Sequence, residues 1–583
     1  MTRLDPHSYA DDRQPQTESF ALTARVDFAT KTITAEVVLT FREPGRGPLD
    51  LDTRDLTIER VEDARGRTVA FQLHPADAVI GSRLAITLPD TTPSIKIRYR
   101  TSPEASALQW LSPAQTRGGV HPYLFSQCQA IHARSLIPLQ DTPRLRVRYT
   151  AELDVPSELV VVMAAADRGR RGNVHRFEMP QPIPPYLFAF AIGDLASRDL
   201  SPRCRVWSEP SVVDKAAWEF ADVEAMIGAA EALFGPYDWE RFDILTMPPS
   251  FPYGGMENPR LTFITPTVLA GDRSLVSVIA HELAHSWTGN LVTNANAEHF
   301  WLNEGFTMYA ERRITEALEG ADMAALSAAL GRRELDESFE RFASRPGMTR
   351  LRTHLDGIDP DDGYSLIPYE KGYLFLVTIE AAVGRDVFAR WLRTYLDAFR
   401  FGAITTEDFE AHIEKGLPGA LAKVNARAWL DGEDLPANAP KPRSAKLAAI
   451  EALAGAVPDP KVAAAWSATE WNLYLESVPR PAPAATCKAL DDQFKLSASN
   501  NFDILVPWLT LALRSGYHAV LPRVDQVVAE VGRMKYLRPL YTALAINSQT
   551  RDRAVATFAR CRASYHPIAR QMVEGVLATN RVA

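Results

Sequence analysis

One stretch restricts the fold of this chain more than any other: residues 281–305, HELAHSWTGNLVTNANAEHFWLNEG. Side chains at i and i+4 share a face only on a helix, so the H-E-x-x-H spacing predicts one here. On it, His281 and His285 aim their imidazoles at one point. Two neutral imidazoles suit a borderline-soft cation such as zinc. A catalytic zinc takes a third protein ligand and keeps a position open. Glu304, 19 residues after His285, opens a second predicted helix with Leu302, Phe306, Tyr309 and Ile314 on its apolar positions. A turn at Gly289-Asn290 and a loop bring that carboxylate back to the histidines. Glu282 follows His281 directly and so points off the ligand axis, where a general base belongs. The expectation is one Zn2+ per chain on His281, His285 and Glu304, with Glu282 as base. Glu311 lies seven residues after Glu304 on the same helix face. Orienting a histidine and facing solvent beside Arg312 and Arg313 suit it equally, so it stays outside the expected site.

Just upstream lies Gly254-Gly255-Met256-Glu257-Asn258. Glycines let a backbone come close to a ligand. Glu257 can receive a positively charged amine by a charge-assisted hydrogen bond. A substrate anchored by its free amino end can be cut only one residue in, which is exopeptidase behaviour.

At 583 residues the chain exceeds one core. Residues 1–200 alternate with the period of strands, as in Ile95–Arg100 and Leu145–Tyr149, and Leu22–Phe28 with Ile33–Phe41 reads as a strand pair around Ala29-Thr30-Lys31. This is the expected N-terminal β domain, of saddle or sandwich type. A zinc catalytic domain spans 201–432, with a predicted helix ending at Gly235-Pro236 and a strand over Phe242–Met247. A proline-rich linker covers 433–446, and 447–583 reads as an all-α helical-repeat domain, with helices over Lys461–Glu476 and Val524–Met534.

Composition narrows the function classes. The charges sum to −8 without long runs, which gives a nucleic-acid partner no support. Four scattered cysteines form no disulfide framework and fit a reducing compartment. The start shows no secretory signal and no apolar run reaches membrane-span length. The expectation is a cytoplasmic protein, monomeric, without membrane or nucleic-acid partners.

HELAHSW, WLNEGF and GGMENP together resemble the gluzincin metallo-aminopeptidases, peptidase family M1. SALQWLSPAQT, HPYLFSQCQAIHARSLIPLQDTP, IPYEKG and GRMKYLRPLY are similar to its leukotriene A-4 hydrolase branch. The likeness is dense from about Ser106 to Glu304 and thin before Thr101 and over about 431–506. It implies a multidomain α/β architecture around a thermolysin-like, mainly α catalytic domain. It implies substrate contacts at Gln129, Gly254, Gly255, Met256 and Glu257, with Gln129 beside the substrate's amino end. It makes Tyr369 the donor to the oxyanion, Tyr364 a second active-site tyrosine, and Asp361 the residue that places a hydroxyl during epoxide hydrolysis. Arg533, helped by Lys535, becomes the carboxylate anchor. The implied activity is zinc-dependent release of N-terminal residues from di- and tripeptides, with hydrolysis of fatty-acid epoxides of the leukotriene A-4 type as a second activity. The alternatives are a protein that is primarily an epoxide hydrolase, and a catalytically silent helical scaffold.

Overall fold

The computed structural model describes residues 4–275, 277–363 and 365–579. Strand Thr17–Asp27 turns at residues 28–31 and pairs antiparallel with Thr32–Thr53, Val26 opposite Ile33. Thr32–Thr53 pairs in turn with Ser82–Arg100, and Val147–Asp154 lies parallel to the first strand. Period-2 alternation sorts the faces: Val37, Leu39, Ile95 and Ile97 are buried, while Glu36 meets Lys96 and Arg98 outside. A second sheet of Leu108–Leu111, Tyr123–Ser126, Phe190–Gly193 and Val160–Met163 shares the same core.

The catalytic domain is built on a five-stranded sheet in the order 196–201, 204–208, 243–246, 261–264, 255–256. The chain joins this sheet at Ala196, slightly ahead of the expected boundary at 201. Successive residues on its strands serve two cores. Leu245 and Phe263 pack into the core of the N-terminal domain, and their neighbours Ile244 and Ile264 into that of the catalytic helices. The sheet is thus a shared wall, and its edge strand Gly255–Met256 lies where the two domains meet. Behind it run helix Ser277–Ala284, a reversal at Gly289 (φ 111°), and helix Trp301–Glu319. Further on, a π-helical turn, Ile367–Lys371, leads into helix Gly372–Val383.

After a stretch without regular structure, the C-terminal helices close around their own core of Leu473, Trp508, Leu509, Leu537 and Leu540. Two helices differ from the sequence expectation. The one expected over Lys461–Glu476 is split, because Ser467 and Glu470 form a reciprocal capping box that starts a new helix at Ala468. The one expected over Val524–Met534 stops at Glu530. There the backbone is drawn into the catalytic domain: Gly532 N–H donates to Pro249 O at 2.7 Å and Met534 N–H to Pro252 O at 2.9 Å. A Cβ at Gly532 would stand 2.8 Å from that backbone, so only glycine allows the approach. Arg533 is therefore an extended residue ahead of helix Met534–Ile546.

Candidate active site

His281 lies in the last turn of helix Ser277–Ala284, and His285 continues it, its N–H still bonded to His281 O. Their Nε2 atoms stand 3.2 Å apart. Glu304 Oε2 is 3.4 Å from His281 Nε2 and 3.5 Å from His285 Nε2. Ligands about 2.0–2.1 Å from a tetrahedral zinc lie about 3.3–3.4 Å from one another. The three donors already form such a triangle. Glu304 Oε2 is buried and accepts no hydrogen bond, which costs free energy that a cation would recover. The donor set fits zinc.

The same helix that carries Glu304 also aims both imidazoles. Glu311 Oε2 binds His281 Nδ1 at 2.9 Å. Thr307 Oγ1 and Thr288 O each lie 3.1 Å from His285 Nδ1. A ligating histidine that donates through its other nitrogen is fixed in tautomer and orientation. Burial drives His285 down to about 4, so it is neutral, as a ligand must be. Of these partners, Thr288 and Thr307 gave no signal in the sequence, and Glu311 gave an even one. The i+7 spacing from Glu304 was the clue that singled it out.

Glu282, next to His281 on the same helix, is buried. A Cβ on Gly255 would fall 2.2 Å from Glu282 Oε1, so the edge strand passes the carboxylate only because residue 255 is glycine. Burial raises Glu282 to about 8; a cation at the triangle pulls the other way. Glu257 is buried beside it, and burial with the charges of Glu304 and Glu282 holds its carboxyl well above the usual range. Gln129 Nε2 donates to Glu257 Oε1 at 3.3 Å, and the neighbouring Gln127 reaches Met256 Sδ at 3.1 Å. The N-terminal domain thereby supplies one wall of the site.

Tyr369 stands on the π-helical turn, its ring 6.1 Å from that of His281 and nearly parallel to it. Arg533 closes the far side. A Cβ on Gly254 would lie 2.7 Å from Arg533 Nη2, so Gly254 and Gly255 pass between this guanidinium and Glu282. Arg533 Nη1 donates to Tyr536 Oη at 2.9 Å, whose hydroxyl donates to Asp503 Oδ1 at 2.9 Å. Lys535 lies outside this chain, half-exposed, with Nζ 3.3 Å from Asp503. Asp361 is held by His132 Nε2 at 2.9 Å, three residues after Gln129. Tyr364 falls outside the described residues. The structure thus gathers His281, Glu282, His285, Glu304, Glu257, Gln129, Gly254, Gly255, Met256, Tyr369 and Arg533 into one linked group, while Asp361 is bonded to His132 and Lys535 to Asp503 at its margin.

Comparison with known proteins agrees with this geometry. Residues 13–187 match the peptidase M1 N-terminal domain, 218–429 the peptidase family M1 domain, and 466–577 the leukotriene A4 hydrolase C-terminal domain. The chain is 38% identical to leukotriene A-4 hydrolase of Xenopus laevis over 98% of both proteins. It is 40% identical to leucine aminopeptidase 2 of Yarrowia lipolytica, covering 90% of this chain and 86% of that one. Its fold superposes on yeast leukotriene A4 hydrolase in complex with bestatin with a TM-score of 0.93, at 33% identity, over 99% of this chain and 97% of that one. The chain is an enzyme of peptidase family M1, of the kind that carries the leukotriene A4 hydrolase C-terminal domain.

Proposed function

We propose that this protein is a zinc aminopeptidase that removes the N-terminal residue from short peptides. One observation carries the reading: the buried Glu257 carboxylate, to which the partly buried Gln129 donates, lies within 4.8 Å of His285, a corner of the triangle of His281, His285 and Glu304. Zinc on that triangle supplies Lewis acidity toward a scissile carbonyl. Glu257, with Gln129, receives the substrate's ammonium group, because a buried carboxylate gains most from a cation that neutralises it. The first peptide bond then falls opposite Glu282. Glu282 takes a proton from the attacking water and returns it to the leaving amine. The Tyr369 phenol, protonated at neutral pH, donates to the developing oxyanion. Arg533 receives the carboxylate of a peptide short enough to reach it, which favours di- and tripeptides. Four buried, unbridged cysteines support a reducing, cytoplasmic setting. Among the described residues no helix is long and apolar enough to cross a membrane.

The test is hydrolysis of aminoacyl p-nitroanilides, free and N-acetylated, with and without a chelator. The expected result is cleavage of the free forms alone, lost on chelation and restored by zinc. Equal cleavage of acetylated forms removes the amine anchor from the mechanism. Epoxide hydrolysis at the same site is a second reading, favoured by Asp361, which His132 orients within the N-terminal wall. Asp361→Asn tests it: loss of epoxide turnover with peptidase activity intact supports it, and parallel loss of both removes it.

A further inference from the structure

Tyr369 lies on a π-helical turn, a distortion that costs backbone regularity and recurs at functional sites. Three contacts, two of them through Arg312, hold this turn and the first residues of the helix after it against helix Trp301–Glu319. Gly305, next to Glu304, meets Gly372: a Cβ on either would lie 2.8 Å from the other's Cα. Glu370 receives Arg312 through two hydrogen bonds, at 2.7 and 2.9 Å, and both side chains are buried. The Arg312 guanidinium also stacks 4.1 Å over the Tyr373 ring. On the other side, the buried ammonium of Lys371 has no carboxylate at bonding distance among the described residues. It donates to Thr349 O at 2.8 Å and Gly432 O at 2.7 Å, and burial pulls its pKa down to about 8.

Neither arrangement is explained by stability. A buried ion pair seldom outperforms an apolar pair of the same volume, and burying an ammonium is costly even where carbonyls receive it. What both provide is geometry, since bidentate and carbonyl-directed bonds fix direction as well as distance. They act on the two residues directly after Tyr369. We propose that Glu370, through Arg312, and Lys371, through the carbonyls of Thr349 and Gly432, are positioning residues that hold the Tyr369 phenol at the oxyanion. One helix would then index the whole site: Glu304 as ligand, Thr307 and Glu311 aiming the histidines, and Arg312 setting the tyrosine.

The inference rests on the role given to Tyr369 above, and a double-mutant cycle separates the two. On an aminoacyl p-nitroanilide, Tyr369→Phe is expected to lower kcat about 100-fold, the loss of one oxyanion donor. Glu370→Gln in the wild-type background is expected to lower kcat about tenfold, with KM and zinc content unchanged, as misplacement of a reacting group does. In the Tyr369→Phe background, the same Glu370→Gln change is expected to cost less than about twofold, because residues acting through one group are not additive. Equal losses in both backgrounds, or no loss in the wild type, overturn the positioning role and leave Tyr369 standing. Full activity in Tyr369→Phe overturns both. Lys371→Met leaves Arg312 and Glu370 intact and runs the same cycle from the other end of the turn; it decides the matter if Glu370→Gln does not fold.

Discussion

The two sides of this site are built in different ways. The chemical side is local: His281, Glu282, His285, Glu304, Thr307 and Glu311 come from 31 consecutive positions on two helices and the reversal between them. The recognition side is assembled from three domains. Gln129 comes from the β domain, Glu257 directly follows the edge strand of the catalytic sheet, and Arg533 lies in the extended link between two C-terminal helices. Chemistry needs distances held to a few tenths of an ångström, and adjacent helical turns supply them cheaply. Recognition needs groups several residues of substrate apart, which only distant segments can span. A local wall should fail as a unit when one member is lost; a distributed wall should lose one substrate feature at a time.

The largest break falls on the local wall. Glu282→Gln keeps the zinc ligands and removes only the proton carrier, so kcat should fall by about 10²–10⁴-fold. Zinc content, read by metal analysis, should not change. Retention of most of the activity would give the base role to another group. Glu257→Ala acts on the distributed wall and should leave the zinc in place. Its mark is the ratio of free to N-acetylated substrate turnover, which should collapse by about 10–100-fold, the worth of a hydrogen bond to a charged group. A variant that still rejects acetylated substrates would move the amine anchor elsewhere.

Glu311→Gln sharpens the contrast, because it alters the local wall without touching substrate. It should weaken zinc affinity by about 10–100-fold, measured by chelator competition, with activity recovering in excess zinc. Activity lost with affinity unchanged would mean that Glu311 does more than orient His281.

The local wall was legible in the sequence because helical periodicity converts spacing into direction. The H-E-x-x-H pair and the glutamate 19 residues on led directly to the observed triangle. The alternating strands of the β domain were legible for the same reason: Val26 meets Ile33 where the hairpin reading placed the turn. Of the distributed wall, Glu257 could be read from its place beside Gly254-Gly255, whereas Gln129 and Arg533 became visible only through family resemblance. Nothing in the spacing of Gln129, Glu257 and Arg533 records that a shared sheet and a glycine at 532 bring them together. The hydrogen bonds of Gly532 and Met534 to Pro249 and Pro252 end a helix that periodicity alone would have continued through Arg533. Tertiary contact overrode local preference at the point where the proposed carboxylate anchor, Arg533, is set in place.

Arg533 and its neighbour give the finest comparison, between a member of the wall and a residue behind it. Arg533 is buried, presses on Gly254 and is steadied by Tyr536. Arg533→Ala should raise KM for tripeptides about tenfold or more while barely affecting aminoacyl anilides, which have no carboxylate to bind. Lys535, half-exposed, spends its charge on Asp503, which also accepts from Tyr536. Removing Lys535 leaves the bonds from Arg533 to Tyr536 and from Tyr536 to Asp503 in place. An exposed pair of this kind contributes about 0–1 kcal/mol, so Lys535→Ala should shift tripeptide KM by no more than about threefold. A loss equal to that of Arg533→Ala would show that Lys535 leaves Asp503 and joins the substrate carboxylate. The distributed wall would then have a second cation that is recruited only when a peptide is bound.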